Sequence, residues 1–187
     1  MGVHMRSVRF TIHSRLFLAA ALVLCALCAV AGCSGSGTGT PRSGSVRGGA
    51  AKLFRDEGAA RDALFLVNEE RVNRGMQPLV RRTELDAVAY AHARDLVRMN
   101  ELSHTSSDGR KLENRLDHLE WEWAGENLAR NKGFEAPARE AVKGWIASPK
   151  HFENMFRPDF SQTGVAALYD PDSGFTYFVQ VFVIPVQ

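Results

Sequence analysis

Cysteine is scarce in this chain of 187 residues and is confined to its beginning. The three cysteines are Cys25, Cys28 and Cys33, so no thiol follows residue 33 to form a disulfide, hold a metal or act as a nucleophile. A chain of this size buries roughly two thirds of the surface that it exposes when unfolded. It can therefore fold on core packing alone, without disulfides or a structural metal.

An excess of charge of one sign is also missing. The chain holds 23 Lys and Arg against 21 Asp and Glu, and residues 1–32 contribute three arginines and no acid, which leaves 20 against 21. The sequence contains no Gly-rich phosphate loop, no basic stripe with interleaved aromatics and no internal repeat. We therefore expect no nucleic-acid partner.

Long hydrophobic runs are limited to one. Sixteen apolar residues span positions 16–31, whereas a membrane-spanning helix needs about 20. The run follows basic residues and ends in small ones, which is typical of a secretory signal, with an uncleaved anchor helix as the alternative. It ends in the sequence VAGC at positions 30–33, which resembles the lipobox of bacterial lipoproteins. The resemblance implies cleavage before Cys33 and a diacylglyceryl thioether on its sulfur.

Three segments follow from this pattern. Residues 1–32 are predicted to be a lipoprotein signal peptide, and residues 33–50 a flexible Gly/Ser-rich tether that begins at lipidated Cys33. Residues 51–187 are predicted to form one globular domain. Since two or more acyl chains anchor a protein stably, we expect export across the cytoplasmic membrane and lipid anchoring in the cell envelope.

The globular segment reads as helices first and strands last, which predicts an α+β fold with a sheet covered by helices. Thr83 and Asp86 resemble a capping pair at the start of the second helix, and Ser148 is predicted to cap a short helix whose first residue is Pro149. The predicted helices run from about residue 51 to Gly75, from Thr83 through Met99, and over 111–119, 137–147 and 149–156; the predicted strands span 121–129, 162–170 and 174–184.

Two imidazoles and one carboxylate are candidates for a metal site: His104, Glu126 and His151. Two histidines, one carboxylate and a water make a familiar open zinc set, although only the fold can bring these residues together. His151 is predicted near a helix N-terminus, where the helix dipole disfavours imidazolium. His92 falls on the apolar face of the second helix, which favours a buried, hydrogen-bonded histidine over a ligand. The three tryptophans, at 121, 123 and 145, are expected in the core.

Several ordered motifs from about residue 60 to 183 resemble the bacterial branch of the CAP superfamily, also called the SCP or sperm-coating-protein-like domain. They are VNEER (67–71), AHARDL (91–96), SH (103–104), GENLA (125–129), WIASPKH (145–151), TGVA (163–166) and YFVQVF (177–182). The resemblance implies a three-layer α-β-α sandwich with a mostly antiparallel sheet and a cleft.

The family places two histidines and two glutamates in that cleft, and in some members the histidines bind a divalent metal. His104, Glu126 and His151 match three of these positions, which implies a divalent metal, most simply Zn²⁺, with Glu126 as third ligand or as a base behind the ligands. The second glutamate ends a Trp-x-x-Glu pattern, and Ser148 stands in its place. Asn127, Ser148 and Asn154 are expected to support the cleft.

Three functions remain open from the sequence. The first is a metal-binding recognition module, monomeric and tethered, whose cleft holds a lipid or cell-envelope ligand. The second is a metal-assisted hydrolase with Glu126 as general base. The third is a structural or adhesive envelope protein with a vestigial cleft. The missing glutamate and the absence of a nucleophile–base pair favour the first over the second.

Overall fold

The computed structural model describes residues 53–186, so the predicted signal peptide 1–32, Cys33 and the tether 33–50 lie outside the described residues. This part of the chain contains five helices and five strands. In chain order they are β1 (Phe54–Arg55), α1 (Glu57–Asn73), β2 (Val80–Arg81), α2 (Thr83–Met99), α3 (Leu112–Arg115), β3 (Trp123–Lys132), α4 (Pro137–Ala147), α5 (Pro149–Phe156), β4 (Gln162–Asp170) and β5 (Phe175–Ile184).

The strands form one mostly antiparallel sheet in the order β1-β4-β5-β3, and β2 adds a short parallel pairing to β4. The long strands β3 and β4 each pair with β5 over its length, so the Phe-, Tyr- and Val-rich closing strand is central. The β3 strand lies at the edge of the sheet. Its outward backbone carbonyls are capped by side chains: Trp145 Nε1 donates to Leu128 O at 2.9 Å, and Asn154 Nδ2 to Glu126 O at 3.2 Å.

Helices cover both faces of this sheet and bury two separate cores. One core packs α1, α4 and α5 against one face, with Trp145, Phe160 and Phe178 among its large side chains. The other packs α2 and the α3 segment against the opposite face, with Leu96 and Tyr177. The strands alternate apolar residues to the two faces, as a sheet buried on both sides requires. The predicted α-β-α sandwich is confirmed.

Helix α1 ends as its sequence predicts, but it begins at Glu57 rather than near residue 51, because residues 54–55 pair with β4 as strand β1. The Asp56 carboxylate accepts the Ala59 amide at 2.8 Å, which caps the first turn. At the other end Gly75 has φ +73°, and the amides of Gly75 and Met76 donate to the Val72 and Arg71 carbonyls, the Schellman arrangement that favours glycine.

The capping prediction for α2 is wrong. The residue before its first turn is Arg82, which makes no side-chain cap, and Thr83 is already helical. Asp86 is buried and serves a different purpose: its Oδ1 accepts the Val165 amide at 2.9 Å, and its carboxylate pairs with Arg81. Asp86 therefore fastens α2 to strand β4 because its side chain reaches a sheet amide.

Helix α2 also approaches β4 more closely than any side chain would permit at Gly164. A Cβ on Gly164 would stand 2.1 Å from the backbone carbon of Leu85 and 2.4 Å from the Asp86 amide nitrogen. The glycine is needed for close backbone contact between helix and strand. None of the helices in residues 53–186 is long and apolar enough to span a bilayer.

Candidate functional site

The carboxylate of Glu126 is the centre of the candidate site. Glu126 lies on the edge strand β3 and its side chain is almost fully buried. Its Oε1 is 2.9 Å from Nδ1 of His104, and its Oε2 accepts from Arg115 Nη2 at 2.6 Å. With Nδ1 of His104 engaged by this carboxylate, Nε2 is the ring nitrogen left for a ligand.

Arg115, at the end of α3, is a site residue that the sequence analysis missed. It is buried, and besides Glu126 it donates from Nη1 to the His104 carbonyl and to Ser106 Oγ, both at 3.1 Å. It therefore holds the loop that carries His104 as well as the carboxylate that orients its ring. An isolated arginine in a short helical segment has no distinguishing sequence signal, since only the fold reveals its partner.

His92 is a buried core histidine, as its position on the helix predicts. Its Nε2 donates to the Ser103 carbonyl at 2.9 Å, and Nδ1 lies 3.3 Å from Ser106 Oγ, so both ring nitrogens are engaged. Burial lowers the pKa of His92, and the nearby Arg115 charge lowers it further, although Glu126 opposes this. A neutral imidazole with both nitrogens occupied is not available as a metal ligand.

His151 lies in the first turn of α5, which two asparagines attach to β3. Asn127 Nδ2 donates to the His151 carbonyl at 3.0 Å, and Asn154 Nδ2 donates to Asn127 Oδ1 at 2.9 Å. Burial lowers the pKa of His151, and a positive charge on a protonated His104 would lower it further. His151 is therefore held in the neutral form that coordinates metals.

Gly125 is where β3 meets α5. A Cβ there would lie 2.8 Å from Asn154 Oδ1 and 3.1 Å from a ring carbon of Phe160. A side chain at position 125 would push Asn154 away from Asn127. We therefore expect Gly125 to resist substitution, because a side chain there would disrupt the contact between Asn154 and Asn127.

Ser148 is at the N-cap position of α5, but its hydroxyl does not cap the helix. Only its backbone carbonyl takes part, accepting the Phe152 amide at 2.8 Å. The predicted side-chain cap is therefore wrong, because the hydroxyl is not directed at the α5 amides. Within residues 53–186 the Ser148 hydroxyl also has no hydrogen bond to His151, so the two do not form a nucleophile–base pair.

The side chains at this site suit a metal ion held by two imidazoles better than one held by three protein ligands. Among the described residues, no three His, Cys, Asp or Glu side chains come together as a set of metal ligands. Glu126 instead bonds the inner nitrogen of His104, the arrangement by which carboxylates orient metal-binding imidazoles. His104 and His151 would hold the ion through nitrogen, and a bound divalent metal would supply a Lewis acid. Metal binding stays a prediction.

The comparisons with known proteins concern the domain as a whole. Residues 64–182 match the sequence model of CAP, the cysteine-rich secretory protein family. The chain belongs to the CAP family. The matched residues include His104, Glu126 and His151, so the candidate site is part of the family domain.

Two bacterial proteins of known structure share the fold. An outer surface protein from Borrelia burgdorferi superposes with a TM-score of 0.63 at 22% identity, over 71% of this chain and 98% of that one. An extracellular SCP-domain protein from Bacillus anthracis superposes with a TM-score of 0.60 at 26% identity, over 67% of this chain and 40% of that one.

A relative by sequence is the uncharacterized membrane protein YlbC of Bacillus subtilis. It is 35% identical over 104 residues, which make up 54% of this chain. Those residues are 29% of YlbC, so the chain spans under a third of the length of this relative.

Proposed function

We propose that this CAP-domain protein is exported, tethered to the membrane by lipid on Cys33, and acts as a metal-binding recognition module for a lipid or cell-envelope ligand. The observation that carries the proposal is the 2.9 Å contact between Glu126 Oε1 and His104 Nδ1. It orients the ring and leaves Nε2 as the nitrogen that can bind a metal. The extracellular CAP relative from Bacillus anthracis supports the compartment.

Recognition is favoured over hydrolysis by the state of Glu126. A general base must be able to take a proton, but the Glu126 carboxylate is buried and bonded to both Arg115 and His104. Ser148 has no histidine bonded to its hydroxyl, as a serine nucleophile would need. A fluorophosphonate probe should therefore leave Ser148 unmodified, and stoichiometric labelling would place hydrolysis first.

The tether is tested by labelling with radioactive fatty acid in cells that express the full chain. Wild-type protein should incorporate the label, and Cys33→Ala should not. The Cys28→Ala variant is the matched control, because Cys28 lies in the segment predicted to be removed, and it should label normally. Equal labelling of the Cys33 variant would refute the anchor.

Recognition is tested by binding of the purified protein to isolated bacterial cell envelopes. We expect saturable binding without release of soluble products, and loss of binding with a chelator or with His104→Ala/His151→Ala. Arg61→Ala is the matched control, since Arg61 is an exposed residue of the same domain that lines neither site. Metal-dependent release of products would instead support the hydrolase.

A further inference from the structure

A cavity lies beside the candidate metal site, and Arg115 belongs to both. It has a volume of about 560 Å³, within the usual range for small-ligand sites, and opens between α2 and the segment 106–118. Its lining includes the buried Arg115 and His92, whereas His104, Glu126 and His151 do not line it. The cavity is therefore distinct from the cleft of the proposed metal site.

The walls of this cavity have two chemical characters. One wall is apolar and is built by Leu53 and by Ala87, Val88 and Ala91 of helix α2. The remaining lining holds four guanidinium groups beside three carboxylates and two imidazoles: Arg94, Arg98, Arg110 and Arg115, with Asp95, Asp108, Asp117, His92 and His118. An apolar wall beside clustered cations suits a ligand with a short apolar part and an anionic group.

The acids in the lining do not use up these cations. The Asp95 carboxylate accepts from Arg98, and also from the amide and hydroxyl of Ser107 at 2.5 and 2.7 Å. Burial alone would raise the pKa of Asp95, but the hydrogen bonds from Ser107 and Arg98 outweigh it and hold the pKa below its usual range. This acid is saturated with donors, so it has little capacity left to bind a cation.

The arginines, in contrast, keep free donors. A guanidinium has five N–H groups, and Arg110 uses only Nε on Asp108, at 2.8 Å. Arg98 uses only Nη2 on its neighbours, and Arg94 has no acidic partner within residues 53–186. The cavity therefore has an excess of N–H donors at its charged side.

A separate feature of the lining is the buried guanidinium of Arg115. Its side chain is more than nine-tenths buried, and its Nε has no hydrogen-bond partner although the two terminal nitrogens are bonded. A buried donor without a partner is uncommon and costs stability. Nε itself has almost no accessible surface, but Arg115 lines the cavity, where its positive charge adds to that of the exposed arginines.

We propose that this cavity binds a small amphipathic anion, a phosphate or carboxylate carried on a short apolar chain. The anionic group bonds to Arg94, Arg98 and Arg110, with the buried charge of Arg115 beside them, and the chain lies along Ala87 and Ala91. Planar guanidinium groups match the paired oxygens of phosphate and carboxylate. The site needs no metal, so it stands or falls independently of His104 and His151.

Calorimetric titration of the purified full chain with n-hexyl phosphate tests the proposal, with n-hexanol as the uncharged probe. We expect saturable binding of the phosphate and none of the alcohol. Arg94→Gln should weaken binding about tenfold or more, the usual effect of losing hydrogen bonds to a charged group. Arg61→Gln is the matched control, an exposed arginine of α1 outside the cavity, and should leave the affinity unchanged.

A second variant fills the cavity without changing charge. Ala91 is exposed on α2 and lines the apolar wall, so Ala91→Phe should block the probe while the helix persists. Vesicles of phosphatidylglycerol distinguish the sources of the anion: competition with hexyl phosphate indicates a lipid headgroup, and its absence a soluble anion. No saturable binding, or equal binding by the Ala91→Phe and Arg94→Gln variants and the wild type, would overturn the proposal.

Discussion

Arg115 and Glu126 form a buried ion pair, with Nη2 and Oε2 2.6 Å apart and both side chains almost completely enclosed. The pair connects the α3 segment to the edge strand β3, and its other bonds extend to His104 on one side and Ser106 on the other. One guanidinium thus fixes the ring orientation of the proposed metal ligand. The stability of the fold and the geometry of the site depend on the same contact.

Removing one partner of this ion pair should cost more stability than removing both partners. Arg115→Met leaves the Glu126 carboxylate buried without its cation, so we expect a loss of about 3–5 kcal/mol in the free energy of unfolding. The double variant Arg115→Met/Glu126→Leu removes the stranded charge and should recover a large part of that loss. Urea denaturation of the double variant and of each single variant measures these losses. A double variant that loses the sum of the two single effects would contradict a direct coupling.

Two glycines should respond in opposite directions to the same substitution. Gly164→Ala places a Cβ 2.1 Å from the α2 backbone, which cannot move aside as a side chain can, so we expect severe destabilisation. Gly144, on the exposed side of α4, has open space where a Cβ would stand, with nothing within 4 Å, so Gly144→Ala should stabilise the protein by about 0.5–1 kcal/mol. Thermal unfolding compares the pair. Equal melting temperatures would refute the close approach of α2 and β4.

Acid sensitivity should depend on Asp95. Because Ser107 and Arg98 hold its folded-state pKa below the unfolded value despite burial, ionised Asp95 stabilises the fold above the unfolded pKa. That stability is lost as the pH falls from about 4 through the folded pKa. Asp95→Asn should be less stable near neutral pH and show a smaller further loss in this window. Denaturation curves from pH 6 to pH 2 check this, and parallel losses would contradict it.

The two N-cap positions should differ in their contribution to stability. Asp56→Ala removes a side chain bonded to the Ala59 amide and should cost about 1 kcal/mol. Ser148→Ala removes a hydroxyl that makes no cap bond, so we expect a change within about 0.5 kcal/mol. Chemical denaturation distinguishes them. A loss for Ser148→Ala as large as that for Asp56→Ala would indicate that the Ser148 side chain does cap α5.

Periodicity and turn chemistry predicted most of the fold, since they are local properties of the chain. The bounds of α4, α5 and β4 agree with the sequence prediction, and Gly75 ends α1 by the positive φ that glycine allows. The third helix, predicted over 111–119, shortens to four residues because the following segment turns into β3. β3 itself extends to Lys132, since β5 supplies partners along its whole length.

The errors arise where a side chain is used by a distant part of the chain. Asp86 resembles a capping residue but is bonded to the β4 amide of Val165, 79 residues away. The sequence predicts Trp123 in the core, whereas it is about half exposed at the sheet edge beneath the Arg157 guanidinium. Arg115 could not be identified from the sequence, because its importance comes from a carboxylate on another element.

The central claim is that His104 and His151 share one divalent-metal site. Zinc titration of chelator-stripped protein by calorimetry tests it directly, with His118→Ala as the control histidine variant. We expect one zinc ion per chain in the wild type and the control, an affinity that falls on acidification as protons compete with zinc for the imidazole nitrogens, and no measurable binding in His104→Ala/His151→Ala. Unchanged zinc affinity in the double variant would contradict the account.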